Sequence, residues 1–549
     1  MNVPAEYLTG LKSFYTNCVH IIKFRGNTSH RFLYSNGIKQ GCPLAGVIFA
    51  VVLDPFVRCV NSFLLKRNGT IRAYADDIFT FLANYLDLTA ILALFGTWRR
   101  ISNMMVNYSK VYAIPLFCKL LADLPSYLAK CRRKVARCID NFDVNFTFAA
   151  KYLGVVLGFF VGTQRWADAL EAYRVTCRAL KGYSLGLPRT VRLYNTQALP
   201  KLSYLAAHSD PTPQALSTEH FGLQLLSCAP WHTFPDTLLW NLSQIGFTIS
   251  FDSLDRLAIA SKFRVYATHH ELIDSIWASV LSMMATNPFR ANHVVLKDFL
   301  STSVVCSLLR NYHELVRLLP AVDGLLHDPP AHLQARIIKE IRPFVSRDPG
   351  LGITVGRRLQ RLIPARYWPR LEVAVTLTLK SLSPAPLYAL ASVLRFCCNG
   401  FHTEERYGLV RTCGCRFGCG GLDSIEHYEV STHYWRCLAT LFPRLTLQFD
   451  VFYYTGLAHF LQGRELHGVF TPRYTLTGDL LIGRKSVSHA AADTLMLGIC
   501  IHLLETALNA QRHRYVAGSM AVMTGHMRAR LKTLCHDAPK LLPLIQSMR

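Results

Sequence analysis

The sequence lacks several features that define whole classes of protein. It has no run of about 18 to 20 apolar residues, the length that a membrane-spanning helix needs. The run "AGVIFAVVL" is short, and "LMLGICIHLLETALNA" is interrupted by His502 and Glu505. The start, "MNVPAEYLTG", lacks the basic-then-apolar order of a signal peptide. Internal repeats and low-complexity tracts are also missing, so the sequence disfavours membrane, secreted and repeat proteins.

Acidic residues are scarce, with 35 Asp and Glu against 60 Lys and Arg and a net charge of +25. Because phosphate contacts dominate binding to polyanions, nucleic acid is the leading predicted partner and a membrane surface is the alternative. Seventeen cysteines without a secretory signal indicate reduced thiols and a candidate metal site. We therefore predict an intracellular protein without a membrane partner, and the nucleus is a candidate compartment.

Two adjacent carboxylates, Asp76 and Asp77, lie in "IRAYADDIF" between apolar runs that predict the strands of a tight hairpin. Neighbouring residues on a strand point to opposite faces, but at a hairpin tip at least one carboxylate can face an open cleft. Carboxylate oxygens suit Mg²⁺, and nucleotidyl transfer uses two such ions to hold the attacking and leaving oxygens. Asp is also a common turn residue, so a purely structural role stays open.

Three further landmarks surround the acidic pair in a fixed order. Upstream is a glycine-rich turn that leads into a predicted buried helix, "NGIKQGCPLAGVIFAVVLDPF"; downstream are "VNYSKVYAI" and "KYLGVVLG". This order resembles the reverse-transcriptase palm of non-LTR (LINE-type) retrotransposons over about residues 1–160. The resemblance implies an RNA-directed DNA polymerase that uses Mg²⁺, an RNA template and a DNA primer.

The resemblance also implies roles for the residues that match its motifs. Asp76 matches the principal metal ligand and Asp77 its neighbour, and Lys110 would lie near the triphosphate, where it could neutralise charge or donate a proton to pyrophosphate. The other implied contacts are with primer, template and incoming nucleotide, and the residues are Tyr74, Gln40, Gly41 and Gly154. For Gly41, Lys110 and Gly154, a plain turn, a solvated strand end and a strand bulge are the structural alternatives.

The chain also departs from the family pattern. Ala45 and Gly46 replace the usual Ser-Pro pair, and the resemblance implies that the strand with the family's other catalytic Asp and the fingers subdomain are absent from this sequence. Asp54 and Asp87 do not match the missing position. We therefore expect a truncated and impaired polymerase, with a non-catalytic nucleic-acid-binding remnant as the alternative. A viral RNA polymerase or an intron maturase is less favoured.

A second candidate site is the cysteine- and histidine-rich segment "RTCGCRFGCGGLDSIEHYEVSTHYWRC". Its residue types and spacing are typical of tetrahedral Zn²⁺ sites, and the family often carries such a knuckle after the thumb. The knuckle pattern matches Cys415, Cys419 and His427, and its fourth cysteine falls near Ser431 or Thr432. We predict His433 as the fourth ligand of a structural zinc site, with Cys413 or Cys437 as alternatives. The other interpretation is a set of reduced structural cysteines around a decayed knuckle.

The predicted fold class is α+β: a truncated palm with an antiparallel sheet and helices, then a mainly helical thumb and C-terminal region with the zinc-knuckle-like segment. The stretch 178–207 combines spaced Arg and Lys with Tyr and Leu and resembles the phosphate-gripping helices of the thumb. The predicted parts are a partial palm at 1–160, a thumb-like region at 161–245, a helical connector at 246–390, the knuckle at 391–440 and a helical C-terminal region at 441–549.

Overall fold

A computed structural model shows a mainly helical chain with small two-stranded sheets, which confirms the predicted mixture of α and β structure. The structure describes residues 4–25, 27–34, 42–84, 86–114, 124–137, 145–158, 162–286, 303–327, 329–345, 351–360, 375, 382, 385–403, 405–407, 414–443, 481–482, 485–486, 489–511 and 519–548. The chain divides into two compact units, Met1–Gly162 with Pro288–Phe299, and Thr163–Asn287 with Leu300–Arg549. The five-part division stays a prediction.

The first unit contains four helices and four strand pairs among its described residues. The helices are α1 (Ala5–Tyr15), α2 (Ala45–Leu65), α3 (Asp87–Ser102) and α4 (Leu124–Ala136). The antiparallel pairs are β1 (Cys18–Phe24) with β2 (Asn27–Tyr34), β3 (Thr70–Tyr74) with β4 (Asp77–Phe81), and β7 (Ala149–Tyr152) with β8 (Val155–Gly158). The strands β5 (Tyr112–Ala113) and β6 (Asn145–Phe146) pair in parallel.

The core of the first unit lies between α2, α3 and the β3–β4 hairpin. Apolar side chains repeat along α2 at three- and four-residue spacing, which places them on one face of the helix. Their partners on the hairpin and on α3 are Ile71 and Ile91. The residues that form this buried cluster are Leu53, Phe56, Val60, Leu64, Ile71 and Ile91. The cluster gives the acidic hairpin a rigid base.

The helix α2 differs from the expectation that it is buried nearly all round. Val47, Val51 and Val52 are exposed, so only one face of the helix packs. It is also the one helix in the described part of the chain that is long and apolar enough to cross a membrane by length and composition. The predicted helix continues past Asp54, which accepts a 2.7 Å hydrogen bond from Arg58 one turn later. Core helices meet the same criterion, so α2 by itself assigns no membrane contact.

The second unit is helical apart from the short pair β9 (Leu481–Ile482) and β10 (Lys485–Ser486) in the described residues. Its N-terminal helices are α5 (Ala167–Gly182), α6 (Leu187–Leu193), α7 (Pro200–Ala206), α8 (Pro213–Leu226), α9 (Asp236–Trp240) and α10 (Leu254–Thr286). The middle helices are α11 (Val304–Leu318), α12 (Pro330–Val345) and α13 (Leu351–Leu359). The C-terminal helices are α14 (Leu387–Cys397), α15 (Ile425–Val430), α16 (Thr432–Leu441), α17 (His489–Ala510), α18 (Met520–Asp537) and α19 (Leu542–Met548).

The stretch "DSLDRLAIASKFRVYATHHELIDSIWASVLSMMA" has the apolar spacing of an amphipathic helix, and the structure forms the helix α10 there. This helix changes direction at His269, whose φ of −134° and ψ of 21° interrupt the helical geometry. One face of α10 packs on α11 and α12, where Phe263, Leu315 and Ile337 belong to one buried cluster. The periodicity therefore predicted both the helix and its apolar face.

Glu219 on α8 is a buried acid at the centre of the packed helices α5 to α8. Its Oε1 accepts a 2.6 Å hydrogen bond from the backbone N–H of Leu254. Burial raises the pKa of Glu219 to about 8; Asp236 and Asp255 act in the same direction, while Leu254 and Arg256 oppose it. Glu219 is therefore largely protonated at neutral pH.

Replacing Glu219 by glutamine should make the second unit more stable above about pH 7, because the neutral amide keeps the hydrogen bond from Leu254 without a buried charge. The pKa of Glu219 in the folded protein lies above the ordinary value of 4.5. At pH values between 4.5 and about 8, the folded chain therefore binds more protons than the unfolded chain. Wild-type stability should therefore fall from about pH 5 to about pH 8, by at most about 1.4 kcal/mol per pH unit from this group. Urea denaturation at several pH values measures how steeply the stability falls with pH.

The control Glu171→Gln, at an exposed site on α5, should keep the wild-type slope of stability against pH. If Glu219→Gln also kept that slope, Glu219 would not be its cause.

Candidate functional site

The acidic pair lies at the tip of the β3–β4 hairpin, which confirms the predicted hairpin. Tyr74 and Asp77 are cross-strand partners, so Ala75 and Asp76 form a two-residue turn. Ala75 has a φ of 51°, in the left-handed region that alanine seldom adopts. Because Asp76 lies in the turn, the alternation of side chains between the two faces of a strand does not apply to it. The side chains of Tyr74, Asp76 and Asp77 are all exposed. Both carboxylates are therefore accessible to a cation and to its other ligands.

Two other acids of the first unit are engaged in ion pairs rather than grouped with Asp76. Asp54 pairs with Arg58 at 2.7 Å, and Asp87 pairs with Arg67 at 3.4 Å. Within the described part of the chain, no third Asp, Glu, His or Cys side chain joins Asp76 and Asp77 in a compact group of metal ligands. The hairpin thus offers hard oxygen donors that fit Mg²⁺, but as part of a coordination shell that phosphates or further residues must complete.

A second hairpin packs beside the acidic one. The ring of Tyr152 on β7 lies 5.4 Å from that of Phe79 on β4. Between β7 and β8, Leu153 and Gly154 have φ angles of 47° and 83°, the two positive values that a type I′ turn requires. Glycine at 154 fits this turn, and a side chain there would be strained. The structure therefore brings the "YLG" landmark and the acidic hairpin together within the first unit.

Of the remaining residues that the family resemblance singled out, the structure describes Lys110. Lys110 is exposed and ends the 3₁₀ turn Tyr108–Lys110, whereas the sequence predicted a strand there. The strand β5 begins only at Tyr112, after this turn, and the Asn145 side chain donates a 3.0 Å hydrogen bond to the carbonyl of Ser109 within the turn. Gln40 and Gly41 lie outside the described residues. Their roles stay predictions.

The second candidate site is a compact group formed by Cys415, Cys419 and His427, whose ligand atoms all lie within 4.8 Å of one another. The Sγ of Cys419 is 3.0 Å from the Nε2 of His427. The hydroxyl of Ser431 is 3.9 Å from the Sγ of Cys415 and 3.7 Å from that of Cys419. Two thiols and an imidazole at these separations fit the donor set of Zn²⁺.

A network of hydrogen bonds and close packing holds this group. The N–H of Cys415 donates to the carbonyl of Gly421 at 2.8 Å, which closes the loop between the two cysteines. The hydroxyl of Tyr428 donates to Asp423 at 2.5 Å and accepts from the N–H of Arg416 at 3.2 Å. A Cβ at Gly421 would lie 2.0 Å from the His427 ring, so glycine is needed for the ring to reach the cysteines.

The electrostatics of Cys419 and His427 favour the forms that bind metals, whereas burial raises the pKa of the Cys415 thiol to about 11. Burial opposes ionisation of the Cys419 thiol, but hydrogen bonds from the Gly421 N–H and from the Cys415 and Ser431 side chains outweigh it and lower the pKa. Burial also lowers the pKa of His427, although nearby Asp423 acts against it. A thiolate and a neutral imidazole are the states that coordinate a metal ion.

The predicted fourth ligand, His433, is not part of this compact group. Ser431 precedes α16 and caps it. The Nδ1 of His433 is buried and has no hydrogen-bond partner among the described residues. Cys437 is also absent from the group, and its Sγ contacts the carbonyl of Met520 on α18 at 3.6 Å. Cys413 lies outside the described residues.

Basic side chains line the outer faces of α5, α6 and the start of α7. They are exposed and occur at three-residue spacing on α5 and α6, which places each pair on one helix face. These residues, named here the basic helical segment, are Arg178, Lys181, Arg189, Arg192 and Lys201. Tyr183 and Tyr204 are exposed within the same stretch. The segment has the composition of a surface that contacts a phosphate backbone.

Comparisons with known proteins bear on the first unit. A family model described as reverse transcriptase (RNA-dependent DNA polymerase) matches residues 1–156. The chain is also 23% identical over 112 residues to a Xenopus laevis protein named transposon TX1 uncharacterized 149 kDa protein. The matched stretch is 19% of this chain and 9% of that relative, so this chain spans only a small part of the relative's length.

Proposed function

We propose that the chain is the polymerase part of a non-LTR retrotransposon's protein, because residues 1–156 match the reverse-transcriptase family and a stretch of 112 residues is similar to a transposon protein. It acts on an RNA template and a DNA primer. The observation that supports this proposal best is the exposed Asp76–Asp77 tip, which the buried cluster under β3 and β4 holds in place.

The proposed chemistry is nucleotidyl transfer with Mg²⁺. Asp76 and Asp77 would hold the ion, which supplies charge stabilisation at the reacting phosphate. Tyr74, at the other end of the turn, is exposed beside them and would contact the primer end. Lys110 would neutralise charge on the triphosphate. Primer extension on an RNA template, beside an Asp76→Ala variant, tests this activity.

A second candidate function is nucleic-acid binding without catalysis. It is favoured by one observation: in the described residues no third acidic side chain groups with Asp76 and Asp77. In that case the basic helical segment would bind the phosphate backbone without chemistry at the hairpin. Binding without Asp76-dependent extension would favour this function over the polymerase.

The basic helical segment predicts a steep salt dependence of binding to an RNA–DNA duplex. Replacing both Arg189 and Arg192 by alanine should weaken binding for all sequences and lower the slope of log K against log salt by about 2, about 1 for each lost phosphate contact. Fluorescence anisotropy at several salt concentrations measures both quantities. The matched control is Arg528→Ala with Lys532→Ala, which removes the same charge from exposed positions on α18. If the control variant lowered the slope of log K against log salt by the same amount, the basic helical segment would not be the binding surface.

The Cys415, Cys419 and His427 group is proposed to bind Zn²⁺ as a structural site. The metal would replace the proton between Cys419 and His427 and tie the loop at 415–421 to α15. Binding would stabilise this part of the second unit, because the ligands are not assembled in the unfolded chain. This role is independent of the chemistry at the acidic hairpin.

A further inference from the structure

We propose that Ser431 occupies the fourth coordination position of the zinc site, so that the ion is held by three strong ligands and one weak, displaceable hydroxyl. The proposal rests on the zinc site described above and replaces the expectation that His433 completes it. It is carried by the position of the Ser431 hydroxyl relative to both cysteine sulfurs.

The two distances from the Ser431 hydroxyl match the edges of a tetrahedral zinc site, whereas the 3.0 Å between the Sγ of Cys419 and the Nε2 of His427 is shorter than such an edge and would lengthen when the ion enters. Zinc bonds of about 2.3 Å to sulfur and about 2.0–2.2 Å to nitrogen or oxygen imply edges of about 3.5–3.8 Å between ligand atoms. The Ser431 Oγ lies 3.7 Å from the Sγ of Cys419 and 3.9 Å from that of Cys415, so it stands at an edge length from both. The third ligand, His427, completes the same compact group.

The backbone around Ser431 fixes the hydroxyl in this place. Ser431 is only 1% exposed and joins the end of α15 to the start of α16. As the N-cap of α16 its Oγ accepts the N–H of Tyr434 at 3.4 Å, a long hydrogen bond that leaves oxygen lone-pair density for another partner. The cap therefore holds the oxygen at the corner that the knuckle pattern assigns to a cysteine.

A serine at this corner changes the chemistry of the site. A neutral hydroxyl is a weaker donor to Zn²⁺ than a thiolate, so two thiolates and one imidazole must supply nearly all of the binding. The two thiolates balance the charge of the ion, and the fourth position contributes little. The site should consequently bind zinc more weakly than a four-ligand knuckle and exchange it faster.

The test is to place a thiol at the corner and to compare it with a thiol next to it. In Ser431→Cys, zinc affinity measured by chelator competition under reducing conditions should rise at least about tenfold, since a fourth strong ligand completes the tetrahedron. In Thr432→Cys the thiol is on an exposed residue one position later, and the affinity should not change. His433→Ala should also leave the affinity unchanged.

Cobalt substitution gives a second readout, because each thiolate adds to the sulfur-to-metal charge-transfer absorption. The spectra are taken as differences from Cys419→Ala, which removes the contribution of the other cysteines. Ser431→Cys should intensify the band, and Thr432→Cys should not. Ser431→Ala loses the helix cap without gaining a thiol. Circular dichroism of Ser431→Ala and Ser431→Cys, both without metal, shows whether either substitution changes folding independently of metal coordination.

Different results overturn different claims. Equal affinities and spectra for Ser431→Cys and Thr432→Cys would place the hydroxyl away from the coordination sphere, and weaker binding by His433→Ala would restore the histidine as the fourth ligand. If the wild-type chain bound neither zinc nor cobalt above the Cys419→Ala variant, the metal site itself would be wrong. None of these outcomes depends on polymerase activity.

Discussion

Replacing Asp76 by alanine should abolish Mg²⁺-dependent primer extension by this chain, a loss of at least about a hundredfold. The carboxylate lies in the turn between Tyr74 and Asp77, and its removal takes a hard oxygen ligand away without disturbing a buried contact, because the side chain is exposed. Folding should therefore be unaffected. The measurement is extension of a DNA primer on an RNA template, with circular dichroism as the check on structure.

The matched control for Asp76 is Asp54→Ala. Asp54 is also an acid of the first unit, but it pairs with Arg58 on the surface of α2, and such pairs contribute at most about 1 kcal/mol. This variant should extend primers like the wild type. Equal extension by wild type and Asp76→Ala would remove the hairpin from catalysis, and absence of extension in both would favour the non-catalytic function. Binding of Mn²⁺, followed by its effect on water relaxation, tests the metal site directly.

The sequence was sufficient to predict the acidic hairpin because every signal for it is local. Two apolar strands flank the Asp pair, and the turn that joins them is only two residues long. The helix α10 was predictable for the same reason, since its periodicity extends over many turns. At α2 the helix was correct but its burial was not, because a run of apolar residues does not tell which faces have a partner.

The fourth corner of the Cys/His group could be predicted only in part. The spacing located the corner near Ser431 or Thr432, and the chemistry of zinc then argued for the nearest strong ligand, His433. The prediction missed that residue 431 caps a helix. The Ser431 hydroxyl lies near both cysteine sulfurs, whereas His433 is not part of the compact group. A cap signal, serine followed by a helical pattern, was present in the sequence and could have located Ser431 at the start of this helix.

Other features depend on contacts between distant residues and left no local signal. In the sequence, His502 and Glu505 were visible only as polar interruptions of an apolar run. The structure shows their partners on α14: Ser392 hydrogen-bonds to the Nδ1 of His502 at 2.7 Å, and Arg395 pairs with Glu505. Each pair is separated by 110 positions in the chain. Periodicity shows that a helix is apolar, but it does not identify the helix that packs against it.

The Arg395–Glu505 pair leads to the largest expected effect on stability. Both side chains are largely buried, and the guanidinium binds the carboxylate through two nitrogens, one of them at 2.7 Å. Burial alone would raise the pKa of Glu505, but the charge and hydrogen bonds of Arg395 outweigh it and lower the pKa. Next to the pair, burial and the charge of Arg530 lower the pKa of His502 to about 3, so the imidazole is neutral and adds no counter-charge.

Replacing Arg395 by alanine should therefore destabilise the second unit by about 3–5 kcal/mol at pH 7, because Glu505 is left as an unpaired buried charge. The control Arg436→Ala, at an exposed position on α16, should change stability by less than about 0.5 kcal/mol. Urea denaturation measures both changes.

The pH dependence of this loss identifies its cause. In the wild type Glu505 has a lowered pKa, so its contribution is present above the unfolded value of about 4.5 and is lost as the pH falls through the folded value. Without Arg395, burial should raise that pKa, and the variant should lose stability as the pH rises from about 5 to 7. The difference between the two proteins should thus shrink at low pH. Adding Glu505→Gln to Arg395→Ala should recover much of the lost stability at pH 7. If the double variant recovered none of it and the loss were independent of pH, the destabilisation would come from lost packing around the aliphatic part of Arg395. The buried charge would then not be its cause.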